Sequence, residues 1–389
     1  MSESGAGAVR FGSSPVVIGH RGASGYRPEH TASAYRLAFA LGAELVEPDV
    51  VLSRDGVPVV RHENEISGTT DVAERPEFAD RRTSKTVDGI VELGWFTEDF
   101  TWAELSTLRA RERLPSVRPG SAAFDGTEGV LRLRDVLEIA AEAGGGVVVE
   151  IKHATYFARL GMPIGEIVAR ELREAGWGVG VGVGADADVA ARAGLGSRAA
   201  AHPLVIESFE KTVLLQLRAA GVQTQYVYLL EATGAPFDEV ALHGTAAAPY
   251  AASLTDAGLR ALAGEVDGVS LDKDLILVRD ADGRATGVSD VVARAQRVGL
   301  SVFTWTLRAE NEFLPVDYRV SGAAGAFGRW EDEFGVILSS GVDGVFADQP
   351  DLAVRAVRAL QAVRPLQAGA GDGRGGAAGG SEPAVGGAA

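Results

Sequence analysis

The chain contains no cysteine. That absence excludes disulfides, thiolate zinc sites, iron–sulfur clusters and a cysteine nucleophile. Nor is there an uninterrupted apolar run of about 18 residues, so no membrane-spanning helix is expected. The opening MSESGAGAVRFGSSP lacks the basic and apolar regions of a secretory signal. A cytoplasmic location is expected on that ground, or a periplasmic or secreted one if a leader has been removed. Positive charge is in deficit: 37 basic against 53 acidic side chains leave a net charge of −16. A field of that sign repels polyanions, so nucleic acid is not expected as a partner. Lysine is the scarce base, with four against 33 arginines.

What is present is a repeat of short apolar runs and helical patterns. Strand-like runs cover 16–19, 45–52, 57–61, 146–151, 204–208, 223–230, 268–271, 301–306 and 344–347. Helix-like stretches follow most of them, at 31–41, 133–143, 164–175, 210–220, 255–263, 288–298, 331–339 and 351–363. Such alternation calls for a parallel sheet with helices outside it, and about eight repeats without a composition break favour one (β/α)8 TIM barrel. Residues 14–364 are expected to form that domain, with 1–13 a flexible N-terminus and 365–389 a disordered Gly/Ala-rich tail. Two stretches break the repeat. Residues 63–130 form an insertion after the second strand, too long to be structureless, so a small fold of its own or a cover for the active face is expected. Residues 176–203, with alternating Gly and Val, lack the lysine and hydroxyl of a phosphate loop and read as a flexible connection.

The chemistry concentrates at strand ends. His20 and His62 each end a strand-like run, and the carboxyl ends of barrel strands form the active face. Glu47 and Asp49 lie two apart, so strand alternation puts both on one side; Glu150 and Lys152 repeat the arrangement. Carboxylates on otherwise apolar strands must be solvated, protonated or metal-bound. Three of them converging form an oxygen site suited to Ca²⁺ or Mg²⁺; the alternative is a salt-bridged cluster with Lys152 as counter-ion. Arg21 supplies a rigid fork for a phosphate or carboxylate. Glu29 and Thr31 have a simpler reading as helix-terminal residues. Trp305, Phe346, Tyr156 and Phe157 are candidates to line a pocket, with packing the competing role.

The segments His20-Arg21-Gly22, Pro28-Glu29-His30-Thr31, Glu47-x-Asp49, Val59-Val60-Arg61-His62 and Glu150-Ile151-Lys152 resemble the glycerophosphodiester phosphodiesterase family in residue type, order and spacing. Phe303–Thr306 and Gly341–Asp348 extend the likeness, which spans about Val16 to Ala359 and is closest to the periplasmic-type branch with the PEHT segment and long insertion. Two departures stand out: His30 where many members carry Asn, and Glu63 where many carry Asp, which leaves Glu63 out of the expected metal set. The resemblance implies a TIM barrel with a divalent metal, Ca²⁺ ahead of Mg²⁺, held by Glu47, Asp49 and Glu150. It implies His20 and His62 as the acid–base pair, Arg21 as the phosphate contact and Lys152 as a second positive charge. The implied reaction releases sn-glycerol 3-phosphate and an alcohol from a small glycerophosphodiester, and in family mechanisms the attacking group can be the substrate's own glycerol hydroxyl. Three alternatives use the same site: a phospholipase D-like activity on larger lipids, a teichoic-acid-type phosphodiesterase, and a non-catalytic barrel that binds phosphodiesters.

Overall fold

The computed structural model describes residues 14–179 and 202–371. The expected flexible N-terminus, most of the 176–203 connection and most of the expected tail lie outside the described residues. The last helix, Pro350–Gly371, carries helical backbone into the first residues of that tail.

Eight parallel strands close into a barrel: β1 (Val16–Gly19), β2 (Leu45–Val46 continuing as Asp49–Leu52), β3 (Gly146–Ile151), β4 (Leu204–Ser208), β5 (Gln225–Leu230), β6 (Gly268–Asp272), β7 (Ser301–Leu307) and β8 (Gly344–Ala347). Each pairs in parallel with its neighbours, and β8 returns to β1 to close the ring. The strands are rich in Val, Ile and Leu because both faces are covered. Outward side chains pack under the helices; inward ones, including Val16, Ile18, Leu45, Val148, Val205, Val227, Phe303 and Phe346, fill the barrel. The fold is the (β/α)8 barrel that the alternation predicts.

The 57–61 run is not a barrel stave. Pro58–Val60 pairs antiparallel with the outer half of β2, with Val50 opposite Val60. The chain reverses at Ser53–Val57, where the Ser53 hydroxyl donates to Asp55 at 2.7 Å and Gly56 takes φ +75°. The strand expected at 57–61 is therefore the return arm of a hairpin, and the Asp-Gly pair that turns it is the local signal. Residues 63–130 fold on the same side. They contain a hairpin, Thr83–Val87 with Ile90–Gly94, whose turn at Asp88 and Gly89 has the two positive φ values, 47° and 85°, that tight hairpin turns need. A third hairpin, Leu277–Arg279 with Ala285–Val288, takes the start of the helix expected at 288–298, which begins at Val291 instead. Among the described residues no helix is long and apolar enough to cross a membrane.

α1 (Ala32–Ala40) follows β1 and sets the site's first loop. The Thr31 side chain caps it by accepting from the Ala34 amide at 3.2 Å, as the sequence suggests. Gly22 sits in that loop at φ +90°, and a Cβ there would meet the Ala34 carbonyl carbon at 2.6 Å. Only glycine lets β1 turn that tightly against α1. Gly22→Ala should therefore cost about 2–4 kcal/mol in a denaturant titration, the sum of a strained backbone and a backbone clash. An unchanged midpoint would show that the loop is free to relax.

Candidate active site

Strand register brings the acids together. Asp49 on β2 pairs with Glu150 on β3, and Glu150 with Glu207 on β4. All lie at the carboxyl ends, one layer above the apolar interior. Glu47, Asp49 and Glu150 each offer an oxygen within 4.8 Å of the others. Burial, then Asp49, Glu207 and Glu150 nearby, push the Glu47 carboxyl well above its usual range. Burial also raises Glu150 to about 7, with Lys152 opposing and Asp49 adding. Asp49 goes the other way: against the effect of burial, His30 and Arg21 hold it well below the usual value. The partners are direct, with His30 Nε2 at 3.1 Å and Arg21 Nε at 3.4 Å from Asp49 Oδ2. The Tyr35 hydroxyl lies 2.7 Å from the other His30 nitrogen, fixing the ring from behind.

The two expected catalytic histidines are built alike. His20, directly after β1, places Nδ1 at 2.5 Å from Asp348 Oδ1 and Nε2 at 3.8 Å from Glu47. His62, brought back by the return arm, places Nδ1 at 2.5 Å from Glu63 Oε1. In each case Nδ1–H donates to a carboxylate, which leaves Nε2 as the free, basic nitrogen. Burial and then Arg21 lower His20 to about 4, with Asp348 opposing; burial, Arg21 and Lys152 lower His62 to about 3, with Glu63 opposing. Both imidazoles are neutral near pH 7. The phosphate-binding candidates are anchored too: Arg21 Nη1 donates to Glu29 at 3.2 Å, and Lys152 Nζ to Glu150 at 2.8 Å.

His20, Arg21, Glu47, Asp49, His62, Glu150 and Lys152 thus share one mouth, and Trp305 borders it, edge-on to Phe209 at 5.7 Å. The other aromatic candidates are elsewhere. Phe346 is 1% exposed inside the barrel, below the carboxylates, because its register on β8 points it at Ile18 and Phe303 rather than upward. Tyr156 turns its hydroxyl to Glu98 of the insertion, and Phe157 packs against it at 5.4 Å between centroids. The Tyr156 hydroxyl ties the insertion to the barrel, and its ring lines a pocket with Asp88, Arg159 and Phe237, away from the acid cluster. Glu29 is more than a helix-terminal residue: Arg113 grips both its oxygens, at 2.6 and 2.8 Å. Glu63 stands outside the metal cluster and orients His62.

Glu207 escaped notice in the sequence. It is fully buried, and burial beside Glu150 and Asp49 raises it well above the usual range, with a hydrogen bond to Glu47 opposing. Its signal was available: an acid in LVIES has the same parity as Val205 and sits opposite Glu150. In the sequence Asp348 stands out only as the end of the Gly341–Asp348 motif.

The donor set fits a hard divalent cation. Ligand oxygens around Ca²⁺ or Mg²⁺ stand about 3–5 Å apart, and the triad meets that spacing. Asp49 Oδ1 is buried without a hydrogen-bond partner, an oxygen left for something other than protein. Without a cation, the repulsion is relieved by Arg21, His30 and Lys152 and by protons held at Glu47, Glu150 and Glu207.

A closed parallel barrel with two carboxylate-held imidazoles and an acid cluster at its strand ends is the layout of a (β/α)8-barrel enzyme. The glycerophosphoryl diester phosphodiesterase family model matches residues 20–352, and the chain belongs to that family. Among its relatives, the Arabidopsis thaliana glycerophosphodiester phosphodiesterase GDPD6 is 30% identical over 348 residues, covering 86% of this chain and 84% of the plant protein. Two solved structures share the fold. One is a Silicibacter pomeroyi protein assigned to the glycerophosphoryl diester phosphodiesterases, with TM-score 0.57, 21% identity and coverage of 90% and 95% of the two chains. The other is an Oleispira antarctica phosphodiesterase in complex with the product sn-glycerol-3-phosphate, with TM-score 0.55, 19% identity and coverage of 89% and 97%.

The raised carboxyls carry a pH signature. A carboxyl whose folded value is raised stabilises the native state at low pH, and that contribution is lost as pH climbs through about 7 for Glu150. A divalent cation competes with those protons. The increase in melting temperature given by Ca²⁺ or Mg²⁺ to chelator-treated protein should therefore grow between about pH 5.5 and 8 and then level off. A shift independent of pH would mean the cation binds elsewhere.

Proposed function

We propose that the protein hydrolyses glycerophosphodiesters to sn-glycerol 3-phosphate and an alcohol, with a divalent cation held by Glu47, Asp49 and Glu150. The observation that carries this reading is the placing of that triad among two imidazoles with free Nε2 atoms and two cations, Arg21 and Lys152. Family membership and the product bound by the Oleispira relative support the substrate class.

A phosphodiester resists hydrolysis because its charge repels the nucleophile and its leaving alkoxide is poor. Arg21, with its fork fixed by Glu29 and Asp49, and Lys152, braced on Glu150, draw that charge into the mouth. The bound cation would supply Lewis-acid neutralisation of the non-bridging oxygens. One imidazole takes the proton of the attacking oxygen at Nε2, and its carboxylate, Asp348 or Glu63, stabilises the imidazolium that forms. The other, neutral in the free protein, first takes a proton at Nε2 from solvent and delivers it to the leaving oxygen. Binding an anion opposite Arg21 and Lys152 offsets the two charges that depress His62, making its protonation easier in the complex than in the free enzyme. All the groups this chemistry needs are present, which favours an enzyme over a barrel that only binds.

Purified protein with Ca²⁺ or Mg²⁺ should release glycerol phosphate from glycerophosphocholine, and chelation should abolish the release. His20→Gln and His62→Gln should each lower kcat by about 100-fold or more, the usual worth of a positioned acid or base. Full activity in either variant would remove that histidine from proton transfer.

A further inference from the structure

The insertion reaches into the site with two arginines, and neither points at the mouth. Arg113 Nη1 and Nη2 grip Glu63 at 2.9 and 2.6 Å while Nε and Nη2 grip Glu29 at 2.8 and 2.6 Å. Glu63 is the acid on His62, and Glu29 the acid on Arg21. Five residues on, Arg118 spans a second pair. Its Nη2 donates to Asp348 Oδ2 at 2.5 Å, its Nε to Glu310 at 2.7 Å and its Nη1 to the Ser24 carbonyl at 3.2 Å. Asp348 is the acid on His20.

The arm that carries them is stiff. Glu112 takes hydrogen bonds from the Leu114 amide and the Ser121 hydroxyl, its own amide donates to Asp125, and the Arg118 amide closes on Leu114 at 2.8 Å. Each arginine therefore fixes, through one carboxylate, the ring nitrogen that must stay protonated for Nε2 to remain basic. The Arg113 fork holds both oxygens of Glu63, while Asp348 has one oxygen on His20 and the other on Arg118 and Arg308, so neither acid is free to rotate away from its ring. Arg308 adds its own bond, at 2.7 Å, to the same Asp348 oxygen that Arg118 holds, so that acid is pinned from the barrel side and from the insertion by one bond each.

We propose that Arg113 and Arg118 are positioning residues for catalysis. They set the orientation of His62 and His20 through Glu63 and Asp348, so the insertion is a working part of the site. This rests on the reading of those histidines as the proton-transfer pair.

The full-length enzyme is assayed on glycerophosphocholine with Ca²⁺ or Mg²⁺. Lysine at 118 can reach one acid but not both, so Arg118→Lys should lower kcat about 10- to 100-fold with KM within about threefold, because the phosphate seat is untouched. Arg113, with 30% of its side chain exposed, serves as the second variant should the first fail to fold. Arg113→Ala should lose kcat by a similar factor, about 10- to 100-fold, and free guanidinium should restore part of it. Folded variants within about twofold of the parent kcat, or an Arg113→Ala loss that guanidinium leaves untouched, overturn the proposal. His20→Gln and His62→Gln in the same assay separate the two readings. If they lose turnover while the arginine variants keep it, only the positioning role falls. If they keep it, the proton-transfer assignment falls first.

Discussion

Repulsion among buried carboxylates is the constraint on which the site depends. Glu47, Asp49, Glu150 and Glu207 converge in one barrel mouth, each 5% exposed or less. Four like charges at this depth cannot all stand unscreened. The protein answers from three directions: Arg21 and His30 on Asp49, Lys152 on Glu150, and a raised affinity for protons at Glu47, Glu150 and Glu207. Oxygens left over, such as Asp49 Oδ1, make the same cluster a seat for a hard cation. The acid cluster and the cations beside it are thus one electrostatic object, in which removing either part leaves the other unbalanced.

A second layer of charge lies behind the first, and it is paired rather than open. Glu29, Glu63 and Asp348 all titrate below the ordinary carboxylate range: burial pulls each up, but guanidinium and imidazole partners pull harder down. These acids stay ionised; Glu63 and Asp348 keep their histidines in one tautomer, and Glu29 holds Arg21. Apart from Asp49, which His30 and Arg21 hold low, the contrast between raised acids in front and lowered acids behind separates the cluster at the mouth from the groups that hold the machinery still.

Much of this was legible in the chain. Period-two spacing placed Glu47 with Asp49 and Glu150 with Lys152, and the strand–helix alternation predicted the barrel, because both signals are local. The antiparallel return at 58–60 was harder, since a short apolar run carries no direction of its own. Phe346 was misplaced because alternation says which side of a strand a residue faces, not how far up the barrel it sits. Arg113 and Arg118 were invisible for another reason. Their partners lie 84 and 230 residues away for Glu29 and Asp348, and nothing in a charged stretch announces which of its arginines will be buried. Glu207 needed only the step of carrying parity across to the neighbouring strand.

The hairpin that returns the chain to His62 also acts as a ruler. The Arg61 amide bonds to the Asp49 carbonyl at 2.9 Å, so the second histidine is measured off against a metal-ligand candidate through one short antiparallel pair. The long insertion begins only after that distance has been set. Its length and content could drift over evolutionary time without moving His62 relative to the acids, provided the arm that bears the two arginines still came back to the same place.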